Sequence, residues 1–179
     1  MRGVVFMRFK TKDLVTASAL LALGIILPMI IHMAGINGSI FFPMHIPVLI
    51  GGLIIGSPLG LIIGILSPII NHFLTGMPPV PILWIMLVEL PLYGLASGYL
   101  YRKVKMTLVP SLIFSMIVGR VGAAIMALIL GKGFGLPLPP IDLYVKGITL
   151  TALPGIVIQI ILIPIIVKAY EKSKSPMNW

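Results

Sequence analysis

The longest uncharged stretch of the chain constrains its fold more than any other feature. Between Asp13 and Glu89 lie 75 consecutive residues without Asp, Glu, Lys or Arg. A single helix of that length would run about 110 Å, whereas the hydrocarbon core of a bilayer is about 30 Å thick. Only 9% of the 179 residues are charged, against about 25% in a typical soluble domain. The stretch must therefore fold back on itself inside a membrane, and a soluble enzyme is excluded.

Glycine, proline and charge divide the apolar sequence into six predicted transmembrane helices within one domain, residues 1–179. Asp13 is the expected N-cap of the first helix, and the second is short because Ser57 and Pro58 end it. The predicted helices cover residues 13–31, 44–56, 59–75, 81–101, 107–130 and 147–169. The expected fold is an all-α integral membrane protein.

The basic residues predict the orientation of these helices. Ten of the thirteen Lys and Arg residues lie in the N-terminal segment, in the loop after the fourth helix and in the C-terminal tail. The loops on the opposite side hold only Lys132 and Lys146. Because cytoplasmic loops carry the excess of Lys and Arg, both termini are predicted to be cytoplasmic. The net charge of +9 reflects this topology, and no nucleic-acid-binding motif accompanies it.

The glycines at positions 52, 56, 60 and 64 are four residues apart. Small residues at this spacing let membrane helices approach closely. Pro58 interrupts the run, so the pattern predicts two short small-residue faces on either side of a turn. We interpret these glycines as packing positions rather than as part of a chemical site.

Two ionisable residues, Glu89 and Arg120, fall inside predicted helices. A charge at the centre of a membrane helix costs about 2.5–3.5 kcal/mol on insertion scales, so each requires a partner or a function. One interpretation is a salt bridge that locks the fourth helix to the fifth. The other is a polar cavity open to the outside, in which Arg120 binds an anionic ligand through its planar guanidinium. The two are compatible if Glu89 holds Arg120 in position.

Further polar and aromatic side chains are expected in the outer half of the bundle and are candidate substrate-binding residues. Individually, a polar side chain in a membrane helix is more often engaged in an interhelical hydrogen bond. Trp84 is equally an interfacial anchor. These candidates, beside Glu89 and Arg120, are Asn71, His72, Gln159, Phe42, Trp84 and Tyr93.

Catalytic and metal-binding motifs are absent from the sequence. There is no Cys, and the histidines at 32, 45 and 72 have no carboxylate at metal-ligand spacing and form no HExxH motif. No phosphate-binding Walker A sequence is present, so the chain does not hydrolyse ATP by that route. We therefore expect no enzyme activity, no metal and no cofactor.

Three short pieces of the sequence carry a resemblance to a known family. They are Pro-Met-His-Ile-Pro at 43–47, Leu-Ser-Pro at 66–68 and Thr-Gly-Met-Pro-Pro at 75–79. With six predicted helices around them, the chain resembles the substrate-binding S components of energy-coupling factor (ECF) vitamin transporters over nearly its whole length. Among these it is most similar to the pantothenate-type branch.

The resemblance implies a subunit of a prokaryotic plasma membrane that captures a vitamin outside the cell. It implies as partners a transmembrane coupling subunit and two cytoplasmic ATPase subunits. In that family, small residues four apart on the first helix, usually alanines, face the coupling subunit. Ser18 and Ala22 have this spacing, with Ala19 beside them, so these three residues are the expected interface.

The resemblance also places the vitamin in the outer half, under the loop between the first two helices. Residues 35–43 would then form a lid. Gly35 and Gly38 would allow it to move, and Phe41 and Phe42 would exclude water from the ligand.

Pantothenate carries a carboxylate, hydroxyls and an amide, so Arg120 would suit the carboxylate. Asn71, Glu89 and Gln159 would suit the neutral groups. Folate, cobalamin or a queuosine precursor is an alternative ligand for such a subunit. A second alternative is an autonomous proton-coupled carrier with Glu89 as the titrating group, although the two halves of the chain show no internal repeat of the kind common in carriers.

Overall fold

The computed structural model describes residues 9–35 and 38–174, and within them the regular secondary structure is helical throughout. In chain order the α-helices are α1 (Thr11–Met33), α2 (Gly38–Phe41), α3 (His45–Ile55), α4 (Ser57–Thr75), α5 (Ile82–Gly98), α6 (Leu108–Leu128), α7 (Ile141–Lys146) and α8 (Leu153–Lys174). Single π-helical turns follow α5, α6 and α7, at Tyr99–Lys103, Ile129–Gly133 and Gly147–Thr151.

Five helical segments in the described part of the chain are long and apolar enough to cross a bilayer. They are Thr11–Met33, Ser57–Thr75, Ile82–Lys103, Leu108–Gly133 and Leu153–Ser173. The remaining predicted span corresponds to α3, whose 11 residues extend only about 16 Å. A sixth span and the cytoplasmic location of both termini stay predictions, and Arg2 and Arg8, which contributed to the predicted orientation, lie outside the described residues.

The helix boundaries differ from the predicted ones by a few residues at most ends, and the starts of the first and the last helix have a structural explanation. Asp13 was expected to cap α1, but this prediction is wrong because α1 begins at Thr11 and Lys10 occupies the cap position. The Asp13 carboxylate instead lies in the first turn, where the helix dipole favours a negative charge. At the other end of the chain, α8 begins at Leu153, since the π-helical turn Gly147–Thr151 occupies the predicted start of the last helix.

Glycines bring α3, α4 and α5 into backbone contact. A Cβ atom on Gly60 of α4 would lie 2.7 Å from both the Gly52 Cα of α3 and the Gly94 carbonyl oxygen of α5. One on Gly64 would lie 2.6 Å from the Leu90 carbonyl oxygen of α5. Gly56, which joins α3 to α4, has φ +98°, a backbone conformation that glycine adopts without strain. The prediction of packing positions is confirmed for Gly52, Gly60 and Gly64, whereas Gly56 itself forms the turn.

Helix α3 lies at the centre of the bundle. It contacts α1, α4, α5 and α8, and ten of its eleven residues are buried. A helix that is apolar on all sides lies either in a protein core or against lipid, and the burial of ten residues places α3 in the core. The short α3 therefore serves as the axis of the core, and its first residue, His45, is fixed inside the protein.

We predict that Gly60→Ala destabilises the fold. The added methyl group must push the backbones of α3 and α5 apart, and overpacking of this kind costs about 1–3 kcal/mol. The matched control is Gly133→Ala, where a Cβ atom would meet nothing within 4 Å. Thermal unfolding of the purified protein in detergent checks this: the melting temperature should fall for Gly60→Ala only, and equal melting temperatures would contradict the packing argument.

Candidate functional site

A partly enclosed cavity of about 480 Å³ lies where α1 and α4 end and α5 begins. Its size is that of a typical small-molecule site, and its walls are mostly apolar, as such sites usually are. It lies at the opposite end of α5 from the basic cluster Arg102, Lys103 and Lys105. The lining comes from α1 to α5, from α7 and from the segments that join them. Its polar lining residues are His32, His45, Asn71, Thr75, Glu89, Tyr144 and Thr151.

Three of these polar side chains form the inner wall of the cavity: His45, Asn71 and Glu89. Only 2%, 1% and 3% of their respective surfaces are exposed. They come from three different helices, since His45 begins α3, Asn71 lies in the last two turns of α4 and Glu89 lies in the middle of α5. A buried polar group is costly unless it is hydrogen-bonded or paired. The contacts of each of these three side chains therefore determine what it can offer a ligand.

Glu89 is the centre of a buried charge cluster. Its Oε1 atom accepts a hydrogen bond of 3.0 Å from the Tyr93 hydroxyl, one turn further along α5. The same atom lies 3.3 Å from Nη1 of Arg120 on α6 and 3.5 Å from Nε2 of His45. Glu89 and Arg120 therefore form an ion pair, and their opposite charges balance in a region that cannot solvate either alone.

Arg120 lies behind the cavity wall rather than on it. Its guanidinium carbon is 4.2 Å from the centre of the Phe42 ring, and Phe42 itself lines the cavity. Such a stacked cation–aromatic contact is attractive. Phe42 also packs edge-on against His45, with ring centres 4.8 Å apart. The charge of Arg120 thus acts on the cavity through Glu89 and Phe42.

Asn71 joins α4 to α1. Its side-chain nitrogen donates one hydrogen bond to the Gly24 carbonyl of α1 and one to the Ser67 carbonyl of α4, both 2.9 Å long. Its side-chain oxygen is buried and has no hydrogen-bond partner among the described residues. The Asn71 nitrogen therefore connects two helices, whereas the Asn71 oxygen lacks a hydrogen-bond donor among the described residues.

Gln159, another predicted site residue, contacts the expected lid rather than the cavity. Its side-chain nitrogen donates to the Phe41 carbonyl at 3.5 Å. Gly155, one turn earlier on α8, lies so close that an added Cβ atom would be 3.0 Å from the Phe41 Cα. Helix α2 is therefore held against α8. Residues 36 and 37 of the expected lid lie outside the described residues.

The other predicted site residues have different environments. His72 donates a hydrogen bond of 2.8 Å from Nδ1 to the Pro78 carbonyl oxygen and so braces the turn after α4, because a carbonyl oxygen can only accept. Trp84 is 47% exposed on the surface of α5. Neither is among the residues that line the cavity. Tyr93 is fully buried, and its hydroxyl donates a hydrogen bond to the Glu89 carboxylate.

Two parts of the site were not found from the sequence. His45 was considered only as a metal ligand, although an ionisable residue in a long uncharged stretch was itself a signal. Tyr144 lies on α7, in a segment expected to be a loop, because a helix of six residues leaves little periodicity. Burial, with the nearby Glu89 charge as a lesser cause, raises the pKa of the Tyr144 phenol, so the hydroxyl stays protonated and can donate to a ligand. No group of three or more potential metal ligands occurs within residues 9–35 and 38–174.

We predict strong energetic coupling between Glu89 and Arg120. Either Glu89→Gln or Arg120→Gln leaves one buried charge without its partner, which costs about 3–5 kcal/mol. The double variant removes both charges and should lose clearly less than the sum of the two. Denaturant titration in detergent gives the free energy of unfolding of the wild type and of the three variants. The same cycle on Asp142 and Lys146, both exposed on α7, is the control and should show little coupling; similar values for the two pairs would contradict the ion pair.

The chain was compared with protein families, with curated proteins and with solved structures. Residues 12–167 match the family model described as "ECF transporter, substrate-specific component". No curated protein and no solved structure matches. Members of this family are membrane subunits that bind a small-molecule substrate and associate with the membrane and ATPase subunits of the ECF module. Because the match covers most of its length, the chain belongs to the family of ECF transporter substrate-specific components and is a transport subunit rather than an enzyme.

Proposed function

We propose that the substrate of this subunit is pantothenate and that it binds in the cavity between α1, α4, α5 and α7. The observation that carries the proposal is the buried inner wall of His45, Asn71 and Glu89 inside an otherwise apolar cavity. Specific small-molecule sites combine apolar walls with a few fixed polar groups. Pantothenate has the matching chemistry, since its hydroxyls and amide are flanked by hydrocarbon.

Each candidate residue has a proposed role. Glu89 and Asn71 accept hydrogen bonds from the vitamin, and Phe42 packs against its hydrocarbon part. Arg120 and Tyr93 act through Glu89, which they hold in position, and Arg120 supplies a positive charge near the substrate. Gln159 anchors the lid by its bond to Phe41, whereas His72 and Trp84 are not assigned to the site because neither lines the cavity. 

We further propose six transmembrane segments, with α3 as the sixth, and cytoplasmic termini. The support is the distribution of charge. The basic cluster after α5 marks the cytoplasmic side, and the cavity lies at the other end of α5. The cavity would then open to the outside, where the vitamin is captured.

Helix α1 is the proposed contact to the coupling subunit. Ser18, Ala19 and Ala22 are all exposed on it, and the Ser18 hydroxyl is turned back to the Leu14 carbonyl at 3.0 Å. The surface they form is therefore small and free of unpaired donors, which suits close packing against another membrane helix.

A different vitamin remains the main alternative, because the family match leaves the substrate open. An autonomous proton-coupled carrier is disfavoured by the pairing of Glu89 with Arg120 and Tyr93. A carrier would require that carboxylate to be free to exchange a proton, whereas here it is engaged by the Arg120 guanidinium at 3.3 Å and by the Tyr93 hydroxyl at 3.0 Å.

The substrate is tested by calorimetric titration of the purified protein with pantothenate and a panel of other B vitamins. We expect a Kd for pantothenate at or below about 1 μM, with the other vitamins at least about a hundredfold weaker. Arg120→Ala should weaken binding at least about tenfold because Glu89 loses its partner.

The matched control is Arg102→Ala, which lies at the other end of α5 and should bind normally. Tight binding of another vitamin would replace pantothenate while keeping the cavity. An Arg120→Ala variant with unchanged affinity would contradict the role of Arg120.

The interface is tested by co-purification with the coupling and ATPase subunits. Ala22→Trp places a large side chain on the exposed small-residue face of α1 and should sharply reduce the amount of complex recovered. Ala169→Trp, on the exposed surface of α8, is the control and should leave recovery unchanged. Vitamin binding by both isolated variants should stay normal, and a complex that forms equally well with Ala22→Trp would exclude this face.

A further inference from the structure

The hydrogen-bonding character of the inner wall is determined by what its atoms already contact. Asn71 can donate two hydrogen bonds and accept at its oxygen. Both of its N–H groups are used on the carbonyls of Gly24 and Ser67. Only the nitrogen can donate to two carbonyl oxygens, so the amide cannot be turned around. The free atom in the inner wall is consequently the acceptor Oδ1.

His45 presents an acceptor by a similar argument. Its Nε2 atom lies 3.5 Å from the Glu89 carboxylate, and that contact is favourable only when Nε2 carries a proton. Arg120 already balances the charge of Glu89, so a neutral His45 completes the cluster without excess charge. The other ring nitrogen, Nδ1, is then a lone-pair acceptor. Both ring nitrogens are buried and meet no hydrogen-bond criterion with a described residue, so the approach of Nε2 to the Glu89 carboxylate is the geometric feature that distinguishes them.

Glu89 adds acceptor oxygens only. Its carboxylate lines the cavity, and the Tyr93 hydroxyl that could have served as a donor is already engaged with it. The inner wall therefore contains three kinds of acceptor from three helices. The guanidinium of Arg120, which pairs with Glu89, is stacked on Phe42 and does not line the cavity.

We infer that the inner wall of His45, Asn71 and Glu89 recognises a group rich in hydrogen-bond donors and excludes a carboxylate. This rests on the proposed function and sets the orientation of the substrate within it: the hydroxylated end of pantothenate lies against the inner wall, and its carboxylate lies at the rim. The substrate class is thus a small molecule with two or more donors at its buried end. His45 is a specificity-determining residue of the site.

The wall discriminates because burying a polar group of the substrate without a hydrogen-bond partner costs free energy. A carboxylate against this wall would face three acceptors and receive no hydrogen bond from them, and a buried charge in that position is strongly disfavoured. A diol instead supplies donors to acceptors that are otherwise unsatisfied. Discrimination by buried polar groups is strong, because the wrong ligand leaves them unpaired.

The test titrates the wild-type protein with pantothenate and two analogues changed at opposite ends. In the first, an alcohol replaces the carboxylate; in the second, hydrogen replaces both hydroxyls and the carboxylate stays. We expect the alcohol to bind within about threefold of pantothenate. The analogue without hydroxyls should bind at least about thirtyfold more weakly, since each lost hydrogen bond to a buried acceptor costs up to about tenfold.

The reverse order of the two analogues, or equal losses for both, overturns the inference while pantothenate binding still supports the proposed function. Failure of pantothenate itself to bind overturns the proposed substrate and the orientation with it. 

A variant tests the part played by His45. His45→Phe preserves the aromatic packing against Phe42 and Tyr93 but removes the acceptor. It should therefore reduce the ratio between the Kd of the analogue without hydroxyls and the Kd of pantothenate. His72→Phe, outside the cavity, should leave this ratio at its wild-type value. A wild-type ratio in His45→Phe, with a normal melting curve, would show that His45 does not determine specificity.

Discussion

The close backbone contact between α3, α4 and α5 sets the positions on which the rest of the structure depends. In a bilayer there is little hydrophobic force between helices, so their association relies on close packing. Here Gly52, Gly60 and Gly94 remove the side chains that would keep three backbones apart. The short α3 can then be enclosed on all sides. Its enclosure fixes His45 next to Glu89 of α5, and the two residues form one wall of the cavity.

The second constraint is that charged side chains must be balanced by partners where water does not reach them. Glu89 and Arg120 are tolerated because they balance each other, and Tyr93 and His45 complete the surroundings of the carboxylate. This arrangement leaves the cavity with fixed acceptors rather than mobile charges. Preorganised groups of this kind do not have to be ordered when the substrate arrives, which reduces the cost of binding. The same residues therefore stabilise the fold and define the chemistry of the proposed substrate site.

The cavity is covered by segments from two distant parts of the chain. Gly38 and Phe42 come from α2 and the residue that follows it, whereas Leu143 and Tyr144 come from α7. Gln159 of α8 holds the first of these by a single long hydrogen bond of 3.5 Å to Phe41. The proposed coupling face lies on the exposed surface of α1, the same helix that contributes Pro28 and His32 to the cavity. The proposed substrate site and the proposed partner face thus share one helix.

The sequence alone determined the features that depend on local composition. An uncharged stretch of 75 residues requires membrane helices, and glycine, proline and charge separate them, because each of these acts within a few residues of its own position. The isolated charges Glu89 and Arg120 were recognisable as requiring a partner or a function, although their pairing was only one of two interpretations until the structure placed them 3.3 Å apart. Family membership follows from residues 12–167. Tertiary structure decided which side of each helix faces the cavity. Asn71 is oriented by Gly24, 47 residues away, and Gln159 by Phe41, 118 residues away. Neighbouring residues on a helix point about 100° apart, so only such distant contacts could place His45 and Asn71 in the inner wall and leave Trp84 on the surface.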